Sequence, residues 1–215
     1  MIDTVIFDGD GVVVDTEKIW DQAQEEFLRR RGLVYAREKI KPLLTGTSLA
    51  DGIRIMKEEC GLQGDPETLS RERVEIVKGL LEQEVKFIDG FEEFFESIRS
   101  SYKTCMATSM APDLLRTIDR RLNLSQLFDG AIFSVADVDY RSKPNADIFL
   151  YAVRRLRSEI EHCVVIEDAP HGVEAARRAG ILCIALTTTY GREKLRDANV
   201  IVDSYAEIDL LALGS

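Results

Sequence analysis

At 215 residues the chain has room for one large domain or two unequal ones, and its 45% hydrophobic content suffices for a buried core. Lys and Arg number 28 against 38 Asp and Glu, a net charge of −10 with no long basic stretch, which argues against nucleic acid as a partner. No apolar run approaches the length of a membrane span, so the expectation is a soluble, cytoplasmic protein with no membrane partner. The four cysteines show no Cys-x-x-Cys spacing. Cys105, Cys163 and Cys183 fall in strand-like apolar runs and Cys60 ends a helical pattern, so all are expected as reduced thiols.

The first element is the run Ile2 to Phe7, rich in β-branched and aromatic residues and followed by Gly9 and Gly11. It reads as a buried strand that breaks into a loop. Asp8 and Asp10 therefore stand at its carboxyl end, two residues apart, where both carboxylates can face one crevice. Like charges so close raise each other's pKa unless a cation or a shared proton intervenes. A carboxylate can also act as a covalent nucleophile beside a neighbour serving as acid and base. Taken alone, Asp-Gly-Asp-Gly is equally well explained as an ordinary turn.

From Glu17 to Lys86 the apolar period is helical. Trp20, Ala23 and Phe27 share one face, as do Leu49, Ile53, Met56 and Cys60, and again Val74, Val77, Leu81 and Val85. Breaks at Gly32, Gly46 and Gly61 to Pro66 divide the stretch into roughly four helices. After Gly90 short apolar runs alternate with helical patterns: Lys103 to Ala107, Ala131 to Phe133, Cys163 to Glu167, Leu182 to Leu186 and Val200 to Val202. That alternation implies a parallel sheet covered on both faces, with ligands bound at the carboxyl ends of its strands. The expected architecture is an α/β, Rossmann-like core from residues 1–15 and 88–215, with a helical cap inserted over residues 16–87.

Polar residues just past the strands then become the test. Thr108 and Ser109 follow the second strand near a helix that Pro112 helps begin, where hydroxyls and free N–H groups suit an anion, although helix capping explains them as well. Lys143-Pro144 follows the third strand, with Pro144 expected in the first turn of the helix through Phe149. A lysine there would stabilise an aspartate and a phosphoryl group together. Glu167 and Asp168 end the fourth strand, and with Asp8 could supply the oxygen ligands that Mg²⁺ prefers. His171, nearby, is expected to be an exposed first-turn residue.

These residues carry a family resemblance. Phe7-Asp8-Gly9-Asp10-Gly11-Val12-Val13-Val14-Asp15-Thr16-Glu17, Ala107-Thr108-Ser109, Ser142-Lys143-Pro144 with Asp147-Ile148-Phe149, and Ile166-Glu167-Asp168 with Gly172, Ala175, Ala176, Ala179 and Gly180 resemble the haloacid dehalogenase superfamily. The likeness is to its helical-cap branch of β-phosphoglucomutase and small-molecule phosphatases. The resemblance implies Asp8 as nucleophile and Asp10 as general acid and base, with the Asp10 main-chain carbonyl on the metal. It implies Thr108, Ser109 and Lys143 around the phosphoryl group, and Mg²⁺ held by Asp8, Asp10 and Asp168 with Glu167 adjacent.

Within that branch Asp10 argues against dehalogenation, since halide leaves without a proton. The β-phosphoglucomutases carry basic residues where Thr45 and Leu49 stand here and a histidine where Trp20 stands, so a bisphosphate would be poorly held. The expected activity is therefore hydrolysis of a small phosphate monoester, with mutase transfer as the alternative and a non-catalytic phospho-ligand binder less favoured. Trp20, Thr45 and Gly46 are the expected substrate-selecting positions, with Trp20 readable as cap packing. The expected partner is a phosphorylated metabolite, and the expected state a monomer or weak dimer.

Overall fold

A computed structural model describes residues 1–44 and 49–214. Six strands, β1 (Thr4–Phe7), β2 (Lys103–Ala107), β3 (Ile132–Phe133), β4 (Cys163–Glu167), β5 (Leu182–Leu186) and β6 (Val200–Val202), form one sheet in the order β3-β2-β1-β4-β5-β6. Each neighbouring pair is parallel. This is the doubly wound α/β order, in which the direction of winding reverses between β1 and β4. Ligands of such sheets bind where that reversal opens a crevice at the carboxyl ends.

Helices α1 (Glu17–Arg29), α2 (Arg37–Leu44), α3 (Leu49–Cys60) and α4 (Pro66–Glu84) separate β1 from the rest of the sheet in the chain. The others are α5 (Phe91–Ile98), α6 (Pro112–Leu122), α7 (Leu124–Leu127), α8 (Asp147–Leu156) and α9 (Pro170–Ala179). The chain divides into two compact units, Met1–Asp15 with Lys86–Ser215, and Thr16–Val85. Lys86 and Phe87, placed in the insertion by the sequence, belong to the first unit. Asp15 N–H donates to Lys86 O at 3.0 Å, and Val14 bridges Phe87, so backbone pairing carries them with the sheet.

In the sheet unit every residue of β1 is buried, which is why it reads as a continuous apolar run. Ile6 packs into the cluster holding Phe149, Val173 and Ala176, from α8 and α9. Phe7 faces the opposite way, against Phe91, Phe95 and Phe128 at 5.6, 6.0 and 6.0 Å between ring centroids. Full burial of such side chains stabilises by about 1.5–3 kcal/mol each, so this short strand is held mainly by its two faces. In the helical unit Phe27, Leu28, Ile40, Ile53, Met56, Leu62 and Leu69 make a separate core. Helix α4 starts on Pro66, with Asp65 as N-cap accepting from Thr68 N–H at 2.9 Å.

Three local expectations change. The buried stripe of α4 is Leu69, Arg73, Val77 and Leu81, with Arg73 rather than Val74 on the core face. Helix α8 begins at Asp147, so Pro144 lies in the turn before it rather than in its first turn. His171 is in the first turn of α9 but half-buried, because that turn packs beside the sheet's carboxyl edge. No helix among the described residues is long and apolar enough to cross a membrane. The cysteines are free thiols, with Cys105, Cys163 and Cys183 buried.

Candidate active site

The strand β1 ends at Phe7 and delivers Asp8 directly into the crevice beside β4, where Asp8 N–H donates to Ile166 O at 2.9 Å. The chain then turns tightly: Val13 and Val14 N–H both reach back to Gly9 O, at 2.9 and 3.0 Å. Because the strand ends at Phe7 and Gly9 lies in a turn, the same-side argument for alternate strand residues does not carry across to Asp10. The turn nonetheless keeps Asp10 within electrostatic reach of Asp8 and of Asp168. Gly11 is required here, since its φ is +73° and a Cβ would collide with the Asp168 carboxylate.

Lys143 connects the first and fourth strand ends. Its Nζ donates to Asp8 Oδ1 and, at 2.7 Å, to Glu167 Oε1, while lying 4.7 Å from the centroid of the Phe149 ring. Glu167 uses its other oxygen to accept from the N–H groups of Asp168 and Ala169, at 2.8 and 3.1 Å. That carboxylate occupies the space a Cβ on Gly172 would need. Glu167 is thus a buried bracket that fixes both the lysine and the loop presenting Asp168. Thr108 follows β2, fully buried, its hydroxyl accepting from Met110 N–H at 3.1 Å and lying against Gly9. The neighbouring Ser109 hydroxyl is buried without a hydrogen-bond partner among the described residues, an arrangement that suits an anionic oxygen.

Burial pushes the Asp8 carboxyl up to about 7, against the pull of Lys143 and with help from Glu167 and Asp10. Burial likewise lifts Asp168 well above the ordinary range, with Glu167 and Asp8 adding to it. Burial works against the Lys143 ammonium, but Asp8 and Glu167 overcome it and hold the lysine charged. One buried cation therefore faces more carboxylate charge than it can balance. Ligand oxygens from Asp8, Glu167 and Asp168 lie within 4.8 Å of one another. An all-oxygen, acid-rich set of that size fits a hard divalent cation such as Mg²⁺.

Asp8, Asp10, Thr108, Ser109, Lys143, Glu167 and Asp168 all belong to the sheet unit and gather at its carboxyl edge. Trp20 belongs to the helical unit, where it is half-buried, and Thr45 and Gly46 lie outside the described residues. The half-buried His171 has its pKa lowered by burial, with Glu167 opposing that shift. The sequence reading passed over the end of β5. There Thr188 Oγ1 donates to Gly11 O at 2.5 Å, and Thr189 hydrogen-bonds to Asp168. Tyr205, buried, donates to Val12 O at 2.9 Å and so pins the same turn. The threonines were visible as polar residues just past a strand; the tyrosine, remote in sequence, gave no such signal.

Residues 2–180 match the family model of haloacid dehalogenase-like hydrolases. The phosphorylated carbohydrates phosphatase of Thermotoga maritima is 32% identical over 181 residues, covering 84% of this chain and 82% of that protein. The fructose-1-phosphate phosphatase YqaB of Escherichia coli is 29% identical over 177 residues, covering 82% of this chain and 92% of that one. Among solved structures, CbbY from Rhodobacter sphaeroides in complex with phosphate superposes with a TM-score of 0.82 at 27% identity, covering all of both chains.

Proposed function

Because the chain belongs to the haloacid dehalogenase-like hydrolase family and is a phosphoric monoester hydrolase, we propose that it hydrolyses a small phosphorylated metabolite, a sugar phosphate being the favoured class, through an aspartyl-phosphate on Asp8. The observation that carries this reading is the position of Lys143, bonded to both Asp8 and Glu167 at the crevice between β1 and β4. A lysine so placed opposes the protonation that burial favours at Asp8 and presents positive charge where a phosphoryl group would arrive.

In the first step an Asp8 oxygen attacks phosphorus in line as the ester P–O bond breaks, and the Asp10 carboxyl gives its proton to the departing alcohol. In the second, Asp10, now ionised, takes a proton from the water that attacks the aspartyl-phosphate, releasing phosphate and restoring Asp8. Lys143, Thr108 and Ser109 hold the phosphoryl oxygens, the Ser109 hydroxyl gaining the partner it otherwise lacks. Asp8, Asp168 and the Asp10 carbonyl would hold Mg²⁺, with Glu167 beside them. When bound, the ion neutralises charge on the phosphoryl oxygens and among the carboxylates.

The test is phosphate release from a panel of sugar phosphates, nucleotides and short-chain phosphates, with and without Mg²⁺. Release that needs Mg²⁺ and disappears in Asp8→Asn is the expected outcome. Undiminished Mg²⁺-dependent release by a folded Asp8→Asn protein would sink the mechanism. Adding β-glucose 1-phosphate with its bisphosphate activator to the panel tests the mutase alternative.

A further inference from the structure

The turn that carries Asp10 is held from outside at three successive carbonyls. Thr188 Oγ1 donates to Gly11 O at 2.5 Å, Tyr205 Oη to Val12 O at 2.9 Å, and Ile88 N–H to Val13 O at 3.0 Å. Inside the turn Gly11 N–H donates to Val14 O at 2.9 Å, so each carbonyl from Gly11 to Val14 has a donor. Ile88 gives a backbone group and Thr188 follows β5 closely. Tyr205 alone reaches in with a long side chain from near the end of the sequence.

Its surroundings are apolar except at that one atom. Tyr205, only 3% exposed, lies in the single helical turn Tyr205–Glu207, with its ring centroid 5.9 Å from that of Phe91 and 5.1 Å from that of Phe94. Phe91 in turn meets Phe7, the residue before Asp8, edge to face at 5.6 Å. Gly90, at a φ of +83°, leaves room, because a Cβ there would come within 3.3 Å of Tyr205 Cβ. A phenylalanine would fill this cluster as well as a tyrosine and would need no partner for a hydroxyl. The hydroxyl therefore matters through Val12. Burial, with Asp168 and Asp8 adding to it, keeps the phenol protonated and so able to donate.

A general acid works only within hydrogen-bond reach of the atom it protonates, and a small misplacement costs much of its effect. Val12 stands two residues after Asp10 in the same tight turn. We propose that Tyr205 is a positioning residue for Asp10, holding Val12 O so that the turn presents the Asp10 carboxyl to the leaving oxygen of the ester. The proposal deepens the hydrolase reading and rests on it.

Tyr205→Phe keeps the ring and removes the hydroxyl. Two esters separate positioning from general weakening: an alkyl phosphate, whose alkoxide must be protonated as it departs, and p-nitrophenyl phosphate, whose phenolate departs without a proton. In Tyr205→Phe, kcat/KM should fall about 10-fold or more for the alkyl ester and less than about 2-fold for the aryl ester. In an Asp10→Asn background the same substitution should cost the alkyl ester nothing further. Amide hydrogen exchange reads the turn without turnover: Gly11, Val13 and Val14 should exchange about 10-fold faster or more in Tyr205→Phe, with β4 unchanged. No loss on either ester, equal losses on both, a loss that persists beside Asp10→Asn, or unaltered exchange in the turn overturns the proposal. A wild type that releases phosphate from no ester, with the turn loosened in Tyr205→Phe as expected, is failure of the hydrolase reading and not of the clamp.

Discussion

Lys143 and Arg73 are both buried cations, one in each unit, and their surroundings are opposites. Lys143 touches two carboxylates and stands beside a third. Arg73 touches an amide and an indole. In the sheet unit negative charge is in excess, which suits a cation from outside. At Arg73 the helical unit instead buries a positive charge that no carboxylate pairs with among the described residues. The same energetic problem, an imbalance of buried charge, thus takes opposite signs at the two positions.

The sharpest way to break this contrast is Asp8→Asn. Turnover should fall by about 10⁴-fold or more, as expected for loss of a covalent nucleophile, while circular dichroism stays native. A small loss would mean that Asp8 is not the nucleophile. Next comes a matched pair, Lys143→Met and Arg73→Met, compared by thermal melting. Removing the lysine leaves its carboxylates uncompensated and should cost about 3–5 kcal/mol. Removing the arginine discards an unpaired charge and should cost less than about 1 kcal/mol, or stabilise. Equal losses would erase the distinction.

A smaller effect comes from pH. The Asp8 carboxyl, ordinarily 3.8, sits at about 7 in the fold. Between those values the folded chain keeps a proton that the unfolded chain has released, so stability falls as pH rises through this window. Metal-free protein should accordingly melt lower at about pH 7.5 than at about pH 5, and Mg²⁺ should recover more of the melting temperature at the higher pH. Melts at both pH values, with and without Mg²⁺, check it; a reversed slope would show that Lys143 outweighs burial at Asp8. The smallest pair concerns helix glycines. Gly172→Ala should destabilise, because its methyl group meets the Glu167 carboxylate. Gly79→Ala in α4 meets nothing within 4 Å and should stabilise by about 0.5–1 kcal/mol in a denaturant titration.

The strands were legible because a parallel sheet buries both faces, and the β-branched runs Val5-Ile6-Phe7 and Val164-Val165-Ile166 are short and followed by helix or turn breakers. Lys143, well beyond the end of β3 at Phe133, was legible through Ser142-Lys143-Pro144, whereas Asp168 was legible as a polar residue just past a strand end. Thr188 and Thr189 stand in the same relation to Leu186 and were open to the same reading. Arg73 escaped because a binary pattern assigns charged residues to the solvent face, and so shifted the apparent stripe of α4 to Val74. Pro144 misled for a related reason: proline favours a first helical turn, but here the turn carrying Lys143 comes between strand and helix. Tyr205 escaped because its hydrogen bond to Val12 spans nearly the whole chain.

The register of β1 also sets an order of assembly. Thr4 pairs with Lys103 on one side and with Cys163 on the other, so the strand that carries Asp8 leaves the ribosome long before either partner exists. The helical unit, contiguous from Thr16 to Val85, meets no such delay and can close its own core first. At about 5–20 residues per second, Val5, Ile6 and Phe7 wait on the order of ten seconds for β4, exposed or shielded by a chaperone. The earliest-made part of the candidate active site is among the last to be built in.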